Sequence, residues 1–216
     1  MDMNDVKQLV GDELSRCGFQ ALPRRKLFVK DCGFYLILAE IAPLRKEGFH
    51  FDIGVMFLWA SHSDLVYDYA SADTRINAKG DPLGAVWFDD PPAVWDAKIR
   101  QILEEAMAKI DIYQTLTDMA ALKNRLETRN DFAKLANPGL ENRDISLGIA
   151  KMYTGEKPRG AQILAEAAKR NAAAAEIYDC IDNTEMFRDK LLQIVNSCRS
   201  RLAKKYRIKL DPITEI

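Results

Sequence analysis

The spacing of apolar residues changes along the chain, and this change constrains the fold more than any other feature. Residues 49–57 carry an apolar side chain at every second position, which is the pattern of a strand with one buried face. Residues 187–202 instead repeat apolar side chains at intervals of three and four, which is typical of an amphipathic helix. Because strand patterns come first and helical patterns later, we predict an α+β fold rather than alternating βαβ units.

An opening helix and an antiparallel sheet are predicted for the first half. Residues 6–17 have helical apolar spacing that ends before Gly18, a residue type that commonly follows a helix. The predicted strands are 27–30, 34–42 and 49–57, with 65–69 as a fourth strand. The triplet Asp31-Cys32-Gly33 suits a turn between the first two strands, so we expect an antiparallel meander of three to four strands.

The second half is predicted to be all helical. Helical spacing runs over 99–110, 116–126 and 184–206. Between them, Asp144 is a candidate N-cap for a helix that ends at Gly155, and Pro158 suits the first turn of the next helix. We divide the chain into an α+β sheet domain (1–112) and a helical region (113–216) packed on it, with one continuous domain as the alternative.

The composition is that of a globular protein. Hydrophobic residues make up 48% of the 216 residues, which is enough for a packed core. No stretch approaches the roughly 20 apolar residues of a membrane-spanning helix, so we expect no membrane insertion. The opening Met-Asp-Met-Asn-Asp lacks the basic and apolar parts of a secretory signal, so we expect a cytoplasmic protein.

Neither metal binding nor cofactor chemistry is indicated. The four cysteines are far apart, without a Cys-x-x-Cys pair, and the chain has two histidines, so we expect no metal site and buried free thiols. Glycine-rich loops that hold phosphates are absent, as are the motifs of serine hydrolases, zinc proteases and kinases. We therefore expect no cofactor, and an enzymatic function is not favoured.

The best catalytic candidates are His50 and Asp52. In a strand these two residues point to the same face, where a carboxylate beside an imidazole raises the imidazole pKa toward the working range of a general acid or base. The alternative is that both residues belong to the solvated end of a half-exposed sheet face.

Aromatic and acidic residues are concentrated in residues 86–95. The predicted protein-binding residues are Trp87, Phe88, Asp89, Asp90 and Trp95. Aromatic rings anchor many protein interfaces, because a large ring can be buried while its polar group stays wet. As alternatives, the tryptophans fill a gap between the sheet and the helices, and the two aspartates form a carboxylate pair or cap the helix that follows Pro91-Pro92.

Charge is distributed unevenly along the chain. Residues 62–96 contain seven acidic and two basic residues, whereas residues 186–210 contain eight basic residues and one acid. The candidates for contacts to nucleic-acid phosphates are Arg199, Arg201, Lys204, Lys205 and Arg207. Two points disfavour nucleic-acid binding: the pI near 6.2, and the ability of cations at a helix C-terminus to complement the helix dipole. As a further alternative, the two charged segments neutralise each other within the fold.

The first part of the sequence resembles a bacterial family of domains of unknown function. The matching segments are 18–19, 25–30, 34–40 and 48–55, with Thr74-Arg75-Ile76 and the region of Trp87 in the same outline. The resemblance covers about residues 1–130 and implies a leading helix followed by an antiparallel sheet. Residues 36–40 depart from the family, which usually has a polar strand at this place. The family has no established activity, so the resemblance implies none for this chain.

A second resemblance lies in the helical half. Leu147, Gly148, Gly160, Leu164 and Ala167 are similar in spacing to the packing positions of a tetratricopeptide helical pair. One such unit is visible, at 144–170, and Lys151 stands where an aromatic residue is usual. Since a solenoid needs about three repeats to bury its core, the resemblance implies a single helical hairpin, and ordinary helix packing is the alternative.

Together these patterns favour a non-enzymatic module that binds an unidentified protein in a bacterial cytoplasm. Its surface is predicted to combine the acidic, aromatic residues of 62–96 with the helical half. An enzyme that uses the face of His50 and Asp52 is the first alternative. Nucleic-acid binding through the basic C-terminal helix is the second.

Overall fold

The order of helices and strands confirms the predicted α+β fold. The structure is a computed structural model that describes residues 2–23, 25–45, 47–70, 73–127 and 137–216, with the backbone alone at 137–141. The helices are α1 (Met3–Arg16), α2 (Pro92–Gln114), α3 (Met119–Glu127), α4 (Asn137–Tyr153), α5 (Lys157–Ala168), α6 (Ala172–Tyr178) and α7 (Thr184–Tyr206). The strands are β1 (Gln20–Ala21), β2 (Leu27–Asp31), β3 (Tyr35–Leu44), β4 (Gly48–Phe57), β5 (Arg75–Ile76) and β6 (Val86–Trp87).

The sheet is antiparallel throughout, in the order β1-β2-β3-β4-β5, and β6 also pairs with β4. The three long strands β2, β3 and β4 are the predicted meander. The three short strands were not predicted, because a two-residue strand shows no alternation of apolar residues. The predicted fourth strand at 65–69 forms only one isolated bridge, between Tyr69 and Val55. The second edge of β4 is therefore paired by several short pieces of one irregular segment.

Helices α1 and α2 cover the apolar face of the sheet, which carries Phe28 and Tyr35. The backbone of α1 approaches the Phe28 ring so closely that a Cβ added at Gly11 would lie 3.2 Å from Cε1. At the C-terminal end of α2, the Tyr35 hydroxyl donates a 2.7 Å hydrogen bond to the carbonyl of Tyr113. These contacts fix both helices on the same side of the sheet.

The opposite face of the sheet, which carries His50 and Asp52, is covered rather than partly wet as expected. All ten residues of β4 are buried. A Cβ added at Gly54 would lie 2.7 Å from Cδ1 of Tyr67, so the Tyr67 ring lies directly on this face. The alternation within β4 predicted the two faces correctly but gave no sign of the segment that covers the polar one.

A polar network joins the sheet to the helical half. The Trp59 indole donates a 2.8 Å hydrogen bond to the Ser146 hydroxyl on α4. The Asn142 amide, also on α4, donates a 2.7 Å hydrogen bond to the buried Asp68 carboxylate, which lies 2.8 Å from Nε2 of His62. One apolar cluster contains residues from both halves of the chain. The two halves thus share a core.

Helices α4 and α5 form a close hairpin, but α4 begins earlier than predicted. A Cβ added at Gly160 would lie 2.8 Å from the carbonyl oxygen of Gly148, so the two backbones nearly touch. Helix α4 starts at Asn137, and Asp144 therefore lies inside the helix instead of capping it. A side chain that suits an N-cap is also tolerated within a helix, so this signal alone did not fix the start. In the described residues, no helix combines the length and the apolar character needed to cross a membrane.

Candidate functional site

Strand β6 brings the predicted binding residues to the start of β4. Gly48 pairs with Trp87, and a Cβ added at Gly48 would lie 2.3 Å from the Val86 carbonyl oxygen and 3.2 Å from Cα of Trp87. A side chain at position 48 would therefore push β6 away. The glycine allows the aromatic segment to join the sheet edge.

A tight turn follows β6 and fixes the orientation of Trp87. The Trp87 backbone N–H donates a 3.0 Å hydrogen bond to the Asp90 carboxylate, and the Asp90 N–H donates a 3.2 Å bond to the Trp87 carbonyl. Helix α2 begins directly after this turn with Pro91 as its N-cap and without a side-chain capping bond. Asp89 and Asp90 therefore do not cap α2, because the carboxylate of Asp90 is directed back toward the turn.

The buried Lys98 of α2 lies between two of the acidic residues near this turn and compensates one of their two negative charges. Its ammonium lies 2.8 Å from the Asp90 carboxylate and 3.7 Å from that of Asp81, and Lys98 is 8% exposed. Asp81 also accepts a 2.6 Å hydrogen bond from the Trp87 indole. Burial opposes ionisation of Asp81, but hydrogen bonds from the Ala85 and Leu83 N–H groups and from Trp87 keep its pKa below the ordinary value.

Four residues line an open cleft at this edge of the sheet, which we call the acidic-aromatic cleft: Glu47, Trp87, Phe88 and Asp89. Trp87 and Phe88 are half-buried, and the Phe88 ring centre lies 6.2 Å from that of Phe49 in the core. Glu47 and Asp89 are exposed. Among the described residues neither carboxylate has a cationic partner within ion-pair distance.

Trp95 does not belong to this cleft. It is 2% exposed and packs in the core. Its indole nitrogen is buried without a hydrogen-bond partner among the described residues. The sequence could not separate the two tryptophans, because both precede the region of clear helical spacing. The structure places Trp87 on β6 at the surface and Trp95 in the first turn of α2, facing the core.

His50 and Asp52 lie together on the covered polar face and are each held by a neighbour. Nδ1 of His50 lies 3.4 Å from the Gly84 carbonyl oxygen, and Nε of Arg75 lies 3.4 Å from the Asp52 carboxylate. The pKa of His50 is lowered, first by burial and then by the Arg75 charge, although Asp52 acts in the opposite direction. The expected rise of the imidazole pKa is therefore outweighed by burial.

Sequence reasoning missed two residues of this polar face. Glu40 on β3 pairs directly with Asp52 on β4, so two carboxylates face each other across the strands. Burial and, after it, the charge of Asp52 raise the pKa of Glu40. The Tyr67 hydroxyl is buried without a hydrogen-bond partner among the described residues. Only the register of β3 on β4 could have revealed the carboxylate pair.

The basic candidates near the end of α7 serve different roles. Arg199 is 2% exposed. Its guanidinium donates to both carboxylate oxygens of Asp31, at 2.7 and 2.5 Å, and to the carbonyls of Gly33 and Asp211. Lys204 and Arg207 are exposed. Arg199 is therefore a buried connector between α7, the β2–β3 turn and the C-terminal segment.

The two charged segments meet at one end only. Arg201 donates hydrogen bonds to the carbonyls of Ser61 and His62. Lys205 lies 3.0 Å from the carboxylate of Asp64 and, by this hydrogen bond, lowers the Asp64 pKa. The later acidic residues pack near α2 instead, as Lys98 shows. Among the described residues, mutual neutralisation of the two segments thus applies to Asp64, whereas the acidic-aromatic cleft lies outside it.

No group of three or more His, Cys, Asp or Glu side chains in the described ranges is arranged to hold a metal ion. Asp52 pairs with the cation of Arg75, and Glu40 faces Asp52 across the strands. The polar face therefore holds one ion pair beside a carboxyl group whose pKa is raised.

The chain was also compared with known proteins by family, by sequence and by fold. No protein-family model, curated protein or solved structure matches it.

Proposed function

We propose that this chain is a protein-binding module and that the acidic-aromatic cleft is the surface that contacts its partner. The supporting observation is the difference between the carboxylates in this region. Asp81 and Asp90 share the single cation of Lys98, whereas Glu47 and Asp89 line the cleft with no ion pair among the described residues. The cleft thus combines two half-buried rings with two carboxylates that pair with no cation in the described part of the chain.

This combination favours a partner that presents a basic side chain next to an apolar one. Aromatic rings supply large contact area with few rotatable bonds, and such residues carry much of the binding energy at interfaces. Carboxylates at the rim attract a basic partner and increase the rate of encounter more than the final affinity. We therefore expect binding that weakens as the salt concentration rises.

Charge reversal at the rim tests this proposal. The variant Glu47→Lys/Asp89→Lys changes two exposed side chains, so we expect it to fold normally. In affinity capture from a lysate of the source organism, the unmodified chain should retain a partner that the variant binds at least about tenfold more weakly. The retained protein should be eluted by salt and should expose a basic patch.

A matched control separates the cleft from the overall charge. Asp12 on α1 and Glu104 on α2 are exposed acidic residues away from the cleft, and Asp12→Lys/Glu104→Lys makes the same change in net charge. This control should bind the partner as the unmodified chain does. Equal capture by all three proteins would show that the acidic-aromatic cleft is not the contact surface.

The setting and the alternative functions stay predictions. All four cysteines are free thiols, which is typical of a reducing compartment and supports the proposed cytoplasmic setting. Catalysis at His50 and Asp52, nucleic-acid binding through Lys204 and Arg207, and a bacterial source are likewise predictions. No observation favours either of them as the acidic-aromatic cleft favours protein binding.

A further inference from the structure

A separate cleft lies at the other end of the molecule, where three helix ends meet. It has a volume of about 200 Å³ and lies between the end of α4, the start of α5 and the first turns of α7. Its apolar lining is formed by Met152, Tyr153, Ile181 and Phe187. None of these residues belongs to the acidic-aromatic cleft.

Two cations complete the lining of this cleft. Lys157 lies at the first position of α5, and its ammonium is 3.3 Å from the neutral hydroxyl of Thr184. The Arg188 guanidinium lies 5.7 Å from the centre of the Tyr153 ring and so is held beside the apolar lining. Both side chains are exposed, which leaves them accessible to a ligand.

The acid next to Lys157 in the sequence is already neutralised. Glu156 precedes Lys157, but its carboxylate lies 2.5 Å from Lys123 and 2.6 Å from Lys151. The hydrogen bonds from Lys123 and Lys151 lower the pKa of Glu156 to about 2. No carboxylate is among the residues that line the cleft. The lining of the cleft therefore combines apolar residues with two cations that form no ion pair among the described residues, while Glu185 and Asp189 flank Arg188 in the sequence.

We propose that this cleft binds a small carboxylic acid with an apolar body. The apolar part would lie against Met152, Ile181 and Phe187, while the carboxylate would interact with Lys157 and Arg188. A volume of about 200 Å³ equals about seven water molecules at the roughly 30 Å³ that each occupies in the liquid. This space suits a molecule the size of hexanoate.

The experiment is a titration followed at the ε-methyl group of Met152 by ¹H–¹³C NMR, with Met152→Leu used to assign the signal. Hexanoate should give a saturable shift of the Met152 signal, with a Kd on the order of millimolar. Hexylammonium has the same body with the opposite charge and should give no saturable shift. Hexanol, which has no charge, should bind more weakly than hexanoate.

Variants of the two cations give the second arm. Lys157→Gln and Arg188→Gln alter exposed side chains and should leave the fold intact. Each should weaken hexanoate binding about fivefold, as expected for an exposed charged contact. Arg159→Gln removes the charge of another exposed residue of α5 that does not line the cleft and should leave the Kd unchanged.

Three results would overturn the proposal. One is the absence of a saturable shift with hexanoate, and another is equal binding of hexanoate, hexanol and hexylammonium. The third concerns an acetylated leucine peptide with a free C-terminal carboxylate. The proposal fails if this peptide binds at least about tenfold more tightly than hexanoate, a difference of roughly 1.4 kcal/mol. That result would assign the cleft to a protein C-terminus rather than to a free acid.

Discussion

At the scale of single residues, burial decides which of the predicted site residues are open to a partner. Arg199 was predicted as a phosphate contact together with Lys204, yet Arg199 is buried and paired with Asp31, whereas Lys204 is exposed. Helical spacing predicted the helix that carries Arg199. It gave no sign of Asp31, which is distant in the sequence. The partner of a buried side chain is set by tertiary packing, and this is why the residue lists from the sequence were incomplete.

Replacement of Arg199 should therefore affect stability. Arg199→Met leaves the Gly33 and Asp211 carbonyls and the Asp31 carboxylate, whose side chain is 30% exposed, without their donor, and the loss of such a partner typically costs about 1–3 kcal/mol. We expect the urea midpoint of unfolding to fall accordingly. Lys204→Met, on the exposed side of the same helix, should change the free energy of unfolding by no more than about 0.5 kcal/mol. Similar effects of the two substitutions would contradict the connector role of Arg199.

Glu40 should make part of the stability depend on pH. Its pKa is raised in the folded protein by burial and by Asp52, so the folded state holds this proton more tightly than the unfolded state does. The free energy of unfolding should therefore fall as pH rises from the ordinary glutamate pKa of about 4.3 through the raised value. Glu40→Gln removes this pH-dependent contribution to the free energy of unfolding. The stability gain of Glu40→Gln over the unmodified chain should thus grow with pH across this window in urea titrations.

Other acidic residues change the stability with pH in the opposite direction, so the effect of Glu40→Gln must be compared with that of a control substitution. The pKa values of Asp64, Asp81 and Glu156 are lowered, so their contribution to stability is lost as pH falls below their ordinary values. Glu104→Gln, an exposed substitution on α2, leaves those groups in place and serves as the control. A pH-independent difference between Glu40→Gln and the unmodified chain would show that the Glu40 carboxyl is not perturbed by folding.

At the scale of elements, length and regularity decided what could be predicted. The three long strands and the helices α1, α2 and α7 follow directly from apolar spacing. Strands β5 and β6 exist because an irregular segment pairs with β4, and the close approach of β6 depends on Gly48. Such pairing has no local signature. The sequence therefore predicted Trp87, Phe88 and Asp89 as a group. It did not predict that Glu47, which directly precedes β4, joins them in the acidic-aromatic cleft when β6 pairs with β4.

The contact of α4 with α5 gives a prediction at this scale. Gly160→Ala would place Cβ 2.8 Å from the Gly148 carbonyl oxygen and 3.0 Å from the Met152 nitrogen. Since backbone atoms cannot move aside cheaply, the helices must separate, and we expect a loss of about 1–3 kcal/mol in the free energy of unfolding. Thermal unfolding followed by circular dichroism measures this loss.

Gly11→Ala is the matched substitution in another helix. Its Cβ would lie 3.2 Å from the Phe28 ring, a side chain that can shift, and alanine is favoured over glycine in a helix by about 1 kcal/mol. We expect a change within about 1 kcal/mol of the unmodified chain. If Gly11→Ala were as destabilising as Gly160→Ala, the close backbone contact would not explain the effect at Gly160.

At the scale of the whole molecule, the two halves share a core, and the charged segments are only partly neutralised within it. Lys205 and Asp64 join the basic and acidic segments at one end, and Asp81 and Asp90 share the cation of Lys98 inside the first half. Glu47 and Asp89 stay exposed in the acidic-aromatic cleft without an ion pair among the described residues. The count of charged residues along the sequence predicted an uneven distribution of charge. Only the ion pairs in the structure show which of these charges stay exposed.

Site-specific photo-cross-linking tests the proposed contact surface most directly. A photoreactive phenylalanine analogue at Phe88, beside the exposed acids of the acidic-aromatic cleft, should give one discrete adduct with a partner protein in cells of the source organism. The same analogue at Leu9, a 40% exposed position on α1, should give none, and Glu47→Lys/Asp89→Lys should abolish the adduct at Phe88. No adduct at Phe88, or an adduct that persists unchanged in the charge-reversed variant, would contradict protein binding through this cleft.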